Sequence, residues 1–224
     1  MRETFEGERM PGTIKSSAMK ARRGTSQEVV DTAMMARCIA LSRVAVAEGD
    51  YPFASVIALD GKPIAEATNR AIRDGDVSRH AEIIALAQAQ KALGGQQLRK
   101  CTLYTNVEPC AMCSFCIREV GIGRVVYAIG SPVMGGVSRW NILRDDNLSD
   151  RIPQVFPGVP EVVSGVMLHE AQQVWRDWNP VGWQMIKFLG LLRDPSLQEE
   201  QIQVRPGRNR SLWRHLRTVF ARNG

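Results

Sequence analysis

The chain has 224 residues, 44% of them hydrophobic and 23% charged, with five cysteines and a formal net charge of +6. That length suits one domain with tails and a sizeable buried core. No run of about 18 apolar residues occurs, so no membrane-spanning helix is expected, and the mixed charge of residues 1–20 reads against a secretory leader. Five cysteines, with Cys110, Cys113 and Cys116 close together, read as reduced thiols and a cytoplasmic location.

Residues 1–24 are polar and without periodicity, which predicts a disordered tail. Thr25 and Glu28 have the spacing of a capping box. Val30, Met34, Ile39, Leu41 and Val44 then predict a helix ending near Gly49-Asp50. Phe53 to Leu59 reads as a strand and Asp60-Gly61 as a two-residue turn. Lys62 to Thr68 is the returning strand, with Pro63 at its exposed start, and the hairpin delivers Asn69 at its end. A polar loop, Arg70 to Arg79, leads into a helix that opens with His80 and Glu82. Ile83, Ile84, Leu86 and Ala87 point at a core, and Gly94-Gly95 stops the helix.

Cys101 to Asn106 predicts a buried strand, and Pro109 sits where a helix begins, with Cys110 and Cys113 on one face of its first turn. Arg124 to Ile129 reads as another strand and Pro132 to Asp150 as a long Gly-containing rim loop. Glu161 to Val166 supplies a last strand, before helical segments around 168–178 and 182–192. Trp175, Trp178 and Trp183 are expected to pack those helices onto the sheet. The order is that of a layered α/β domain without internal repeats.

The chemistry concentrates in His80-Ala81-Glu82 and Pro109-Cys110-Ala111-Met112-Cys113. One imidazole and two thiolates are three soft ligands, one short of a closed tetrahedral zinc site, and an open fourth position is a catalytic arrangement. A lone Cys-x-x-Cys is also found in redox pairs and zinc ribbons. A ribbon needs a second such pair, and the other cysteines are only Cys38, Cys101 and Cys116. A redox pair leaves His-Ala-Glu unexplained.

The pattern H-x-E followed by P-C-x-x-C resembles that of the cytidine/deoxycytidylate deaminase superfamily. The resemblance covers about residues 28–180 and is closest to the branch of tRNA adenosine deaminases and guanine deaminases. It implies a three-layer cytidine-deaminase-like α/β fold, with a central sheet of about five strands flanked by helices. It implies Zn2+ held by His80, Cys110 and Cys113, which lowers the pKa of water toward ~7, and Glu82 as the proton shuttle. Asn69 corresponds to a family asparagine that hydrogen-bonds the base or its sugar; its alternative is a turn former. Phe53 matches an apolar position that packs on the base, with core packing as the alternative. Ala81, between the metal histidine and Glu82, joins the expected substrate contacts. Trp140 stacks on a base or anchors its loop, and Glu108 organises a loop. A homodimer is implied as well.

Four departures bear on the substrate. Phe53-Ala54-Ser55 is bulkier than the usual glycine-alanine pair, and Arg79 stands where relatives carry a small residue, either to bind phosphate or to pair with Asp74 or Asp76. Ser114-Phe115 replaces Ala-Gly, putting an aromatic ring behind the metal helix, and the stretch after Gly130 lacks the tRNA-branch pattern. Cys116 is expected in the packed interior, and His169 and His215 are read as non-ligands.

The charge divides the chain into three parts. Residues 1–27 carry six Lys/Arg against three Asp/Glu, residues 28–193 seventeen against seventeen, and residues 194–224 six against three. The expected organisation is a basic tail (1–27), a zinc deaminase domain (28–193) and a basic tail (194–224). Arg205, Arg208, Arg210, Arg214 and Arg217 of the second tail, with Leu212, Trp213, Leu216 and Val219, suggest an amphipathic helix for RNA, an anionic membrane or a partner chain. A neutral core tilts the expectation toward a nucleobase or nucleoside substrate. Transfer RNA, and a non-catalytic zinc-containing binding module, are the alternatives.

Overall fold

A computed structural model describes residues 26–94 and 98–195. The expected terminal tails, with the C-terminal amphipathic helix and His215, lie outside the described residues, as do Thr25 of the capping box and Gly95 of the helix stop. Helix α1 (Ser26–Ala47) leads into strands β1 (Ala54–Leu59) and β2 (Lys62–Thr68), then helix α2 (Ala81–Ala92). Strand β3 (Cys101–Val107), helix α3 (Ala111–Glu119) and strand β4 (Arg124–Ile129) follow. A short helix α4 (Asp146–Arg151), strand β5 (Glu161–Ser164) and helices α5 (Leu168–Trp178) and α6 (Pro180–Phe188) complete the described chain.

The five strands form one sheet in the order β2-β1-β3-β4-β5. β1 pairs antiparallel with β2 and β3, whereas β3, β4 and β5 run parallel. The β1–β2 turn has Asp60 at φ 49° and Gly61 at φ 72°, the positive pair that a two-residue hairpin twisting with its strands requires. The parallel pair β3/β4 needs a crossover, and α3 is that crossover, so Cys110 and Cys113 are placed at the carboxyl end of β3.

Side chains alternate across the sheet, and each face buries its own core. Val56, Ala58, Tyr104, Val126 and Ala128 pack against α1, α5 and α6 with Trp175 and Trp183. Ile57, Leu103 and Val125 pack against α2 and α3 with Leu86, Ala89 and Ile117. The result is three layers, helices on both faces of a mixed sheet. Each fully buried aliphatic side chain contributes about 1.5–3 kcal/mol.

The buried face of α1 is Asp31, Met35, Cys38, Ile39, Ser42 and Ala45. Of the positions expected there, only Ile39 is fully buried; Met34 and Leu41 are partly so, and Val44 is exposed. The rotation follows from Asp31, whose carboxylate accepts two hydrogen bonds from the Arg124 guanidinium (2.7 and 2.8 Å) and one from the Tyr104 hydroxyl (2.8 Å). Helix α2 turns Ala81, Ala85 and Ala89 to the sheet and leaves Ala87 exposed; small residues at four-residue spacing let the helix approach closely.

The stretch expected as a rim loop holds a 3-10 turn at Ile142–Arg144 and helix α4. The Asp145 side chain accepts from Asn147 N–H at 3.0 Å as a cap. Buried Arg118 of α3 donates to the carbonyls of Ile142, Asp145 and Pro157 and to Ser149 Oγ. Helix α6 begins at Pro180, earlier than expected, because Asn179 Oδ1 caps Gly182 N–H at 2.7 Å and proline suits a first helical position. It ends before Gly190, at φ 65°. Among the described residues no helix is long and apolar enough to cross a membrane.

Candidate metal centre and active site

His80 is the N-cap of α2, and Cys110 is the N-cap of α3, one position earlier than a place within the first turn. Neither side chain caps its own helix, so both are available to something else. Cys113 lies in the first turn of α3 and is fully buried. His80 Nδ1 is 3.6 Å from Cys110 Sγ and 3.5 Å from Cys113 Sγ, and the two sulfurs are 3.6 Å apart.

This near-equilateral triangle tests the fit to zinc. With zinc–sulfur bonds of about 2.3 Å and zinc–nitrogen bonds of about 2.0–2.1 Å, tetrahedral ligand atoms lie roughly 3.5–3.8 Å from one another. The observed edges fall in that range, and the donor types are those zinc prefers. Among the described residues, His80, Cys110 and Cys113 are a group able to hold a metal ion. Two helix N-termini add positive backbone dipoles that favour thiolate. The Cys113 thiol, and His80 after it, hold the Cys110 thiol down to about 4 against the opposing effect of burial.

Glu82 is in the first turn of α2 and buried. Burial, and then the charge of Cys110, push its carboxyl up to about 7. The same carboxyl is within electrostatic reach of His80 and accepts a hydrogen bond from Cys113. A carboxyl balanced near neutrality beside a metal site is able to hold a proton and release it.

Asn69 follows β2 and is buried. Its backbone N–H donates to the Phe53 carbonyl at 2.9 Å, and the next residue, Arg70, donates to the Arg79 carbonyl at 3.0 Å. These two bonds bring Asn69 and Phe53 to the side of His80. The Phe53 ring is partly buried and meets Trp175 and Tyr51 edge-on, with centroids 5.1 and 6.4 Å away, which is core packing. Ala81 is fully buried. Trp140 is 55% exposed, with the Arg139 guanidinium 5.4 Å above its ring.

Arg79 pairs with Asp74 at 3.1 Å, the same carboxylate that Arg70 holds at 2.9 Å. Phe115 is 45% exposed and packs edge-on against Phe156, so its ring lies outside α3 and not behind it. Cys116 is half-buried at the edge of the second core and not fully interior. His169 is exposed.

Four supporting residues have partners that the sequence does not show. Glu108 organises a loop by accepting the backbone N–H groups of Ser131, Val137 and Ser138 on its carboxylate. Asn106 accepts from Ala54 N–H at 3.0 Å and donates to the Pro52 carbonyl at 2.7 Å, fixing the segment that carries Phe53. Arg118 carries the rim. Asp50, expected at the end of α1, is buried and accepts a hydrogen bond from Asn69 Nδ2 at 2.6 Å.

Residues 28–129 match the cytidine and deoxycytidylate deaminase zinc-binding region. The tRNA-specific adenosine deaminase of Agrobacterium fabrum is 32% identical over 139 residues, 62% of this chain and 91% of that one. A solved tRNA:A34 deaminase superposes with a TM-score of 0.57 at 31% identity, covering 64% of this chain and 99% of the other. The guanine deaminase of Nitrosomonas europaea superposes at 0.52 with 26% identity, covering 66% and 84%. The chain also aligns with tRNA(Ile)-lysidine synthases of two Deinococcus species, 32% identical, and spans about a quarter of their length.

Proposed function

Because this chain belongs to the cytidine and deoxycytidylate deaminase family, we propose that it is a zinc-dependent hydrolase that replaces the amino group of a nucleobase or nucleoside with an oxo group. The observation that carries the reading is the triangle of His80, Cys110 and Cys113 with the buried Glu82 carboxyl beside it. Residues 28–193 are proposed as the catalytic unit. A zinc ion held by these three ligands supplies a Lewis acid that makes water nucleophilic near neutral pH.

Glu82 is assigned the proton work. It takes a proton from the attacking water and gives it to the ring nitrogen beside the amino-bearing carbon. It then carries the remaining hydroxyl proton to the exocyclic nitrogen, and the carbon–nitrogen bond breaks to release ammonia. Protons and atoms balance: one water is consumed, one amino group leaves and Glu82 returns to its starting state. Asn69 is assigned a hydrogen bond to the substrate, with the Phe53–Ala81 region as the inner wall and Trp140 at the exposed rim.

The leading substrate class is a free base or nucleoside, which the balanced charge of residues 28–193 supports. A second reading, tRNA adenosine deamination, is favoured by relatives so named that the chain spans nearly end to end. It requires the adenosine to leave its stack and enter the site. The implied homodimer is part of the proposal and is tested by light scattering. A cytoplasmic location rests on the five cysteines, all free thiols.

The test is ammonia release by zinc-loaded protein across guanine, adenine, cytosine, their nucleosides and tRNA. Turnover of a small molecule supports the leading reading, and turnover of tRNA alone the second. A zinc-loaded protein silent on the whole panel would overturn both in favour of a binding module.

A further inference from the structure

Asp50 is 2% exposed, at the end of the turn that follows α1. Both of its oxygens are filled. Oδ1 accepts from Tyr51 N–H at 2.8 Å and from Asn69 Nδ2 at 2.6 Å. Oδ2 accepts from the backbone N–H groups of Ile72 at 3.0 Å and Arg73 at 3.1 Å. Four donors on one carboxylate is its full acceptor capacity. The arrangement ties the turn after α1, the end of β2 and the segment leading to His80 into one unit.

The consequence falls on Asn69. An amide has one face that donates and one that accepts, and a half-turn about its last torsion exchanges them. A carboxylate oxygen only accepts, so at 2.6 Å it admits the nitrogen of Asn69 and repels the oxygen. Rotation is therefore blocked. Among the described residues no group donates to Asn69 Oδ1.

We propose that Asp50 is the positioning residue of this site: by taking one N–H of Asn69 it locks the amide, so that the Asn69 oxygen and second N–H meet the substrate in one fixed order. A ring N–H, an amino group or a hydroxyl meets the oxygen, and a bare ring nitrogen or a carbonyl meets the second N–H, but not the reverse. The inference rests on the reading of Asn69 as a substrate contact proposed above. It adds the order of donor and acceptor at that contact and the residue that sets it.

The geometry makes an unusual substitution informative. In Asp50→Asn the new amide keeps its oxygen toward the Ile72 and Arg73 N–H groups and turns its nitrogen to Asn69, giving up the bond from Tyr51 N–H. Asn69 must then rotate, accept from position 50 and show its nitrogen to the substrate. In the reciprocal pair Asp50→Asn with Asn69→Asp, position 50 donates, and the carboxylate at position 69 has an oxygen left for the substrate. The acceptor is restored.

Two measurements test this on zinc-loaded full-length protein. The first is nuclear magnetic resonance of the side-chain amide of Asn69, with exchange rates for the Ile72 and Arg73 N–H groups. In the wild type one Asn69 amide proton is expected downfield and slow to exchange. Asp50→Asn should lose that signal while the two backbone groups stay protected. A fast-exchanging Asn69 amide in the wild type overturns the lock without any variant.

The second is steady-state kinetics on guanine, adenosine and cytidine, with zinc content and Tm recorded for every variant. For the compound turned over, Asp50→Asn should raise KM about tenfold, the effect of one mispaired hydrogen bond, with a smaller change in kcat. The reciprocal pair should recover to within a few-fold of wild type. A pair no better than Asp50→Asn, with zinc and Tm unchanged, overturns the proposal. An Asn69→Ala protein as active as wild type overturns the substrate contact itself, and with it the assignment of Asn69 made above. If Asp50→Asn lowers Tm and zinc content together and the pair restores neither, Asp50 is structural and the proposal fails.

Discussion

Ser138 lies thirty residues beyond Glu108 in the chain, yet its hydroxyl and its backbone N–H both donate to the Glu108 carboxylate, at 2.8 Å to Oε2 and 2.7 Å to Oε1. Glu108 directly precedes Pro109-Cys110, so the segment that frames the rim is fastened to the start of α3, which carries Cys110 and Cys113. The fastening is tight. A Cβ added at Gly135 would lie 2.1 Å from Glu108 Oε1, and one at Gly136 would lie 1.8 Å from Ser114 Oγ. Only glycine admits the rim at that distance.

Glu108→Ala is therefore expected to strand the N–H groups of Ser131, Val137 and Ser138. Unpaired buried donors cost about 1–3 kcal/mol each, and some will find water, so a net loss of about 2 kcal/mol or more is expected. Urea unfolding measures it. A change under about 0.5 kcal/mol would mean that the rim holds itself without Glu108.

Acid stability should depend on Asp31. Burial alone would raise its carboxyl, but hydrogen bonds from Arg124, Gln27 and Tyr104, with the Arg124 charge, outweigh burial and hold it below the ordinary value. The folded pKa is then lower than the unfolded one, near 3.9. The stabilisation is fully present above the unfolded pKa and is lost as the pH falls through the folded one. Asp31→Asn should cost about 3 kcal/mol at pH 7, the low end for a broken buried pair, because Arg124 keeps Glu161 at 3.2 Å. Its Tm should also fall less steeply than that of the wild type below pH 4. Parallel Tm-against-pH curves for the two proteins would contradict this account.

The parts of this architecture that sequence reveals are those whose cause is local. β2 and β4 have the expected bounds because short apolar-rich segments are flanked by turn residues, and Asp60-Gly61 takes the two positive φ values its types favour. The convergence of His80, Cys110 and Cys113 is legible because His80 and Cys110 are helix N-caps, and motif spacing translates directly into cap geometry. Where the cause is distant, the reading fails. The face of α1 is set by Arg124, 93 residues from Asp31. The rim turns are held by Arg118, which reaches 39 residues to Pro157. Asp50 looks like a turn residue until Asn69, 19 residues on, is seen against it.

Cys113→Ser removes one corner of the triangle from a fully buried position. A hydroxyl is a poor zinc ligand, and metal affinity in such sites is coupled to folding. The expected outcome is loss of bound zinc together with a lower Tm that added zinc no longer raises. Mass spectrometry under native conditions, with a thermal scan, reads both. Zinc content equal to that of the wild type would show that the ligand assignment is wrong.

Glu82→Gln separates binding the metal from using it. The substitution keeps the shape of a side chain that is buried beside His80 and Cys113 but is not one of the three ligand groups. Zinc content should therefore stay at the wild-type level. Removing the acidic proton also removes the burial cost of a carboxyl pushed up to about 7, so Tm should hold or rise slightly. Turnover should fall by about 10²–10⁴-fold, the contribution of a positioned acid–base group. A ligand role for Glu82 predicts loss of zinc and activity together, whereas a purely structural role predicts a lower Tm with activity kept per folded molecule. Zinc retained, Tm retained and activity lost is the combination that proton transfer by Glu82 requires.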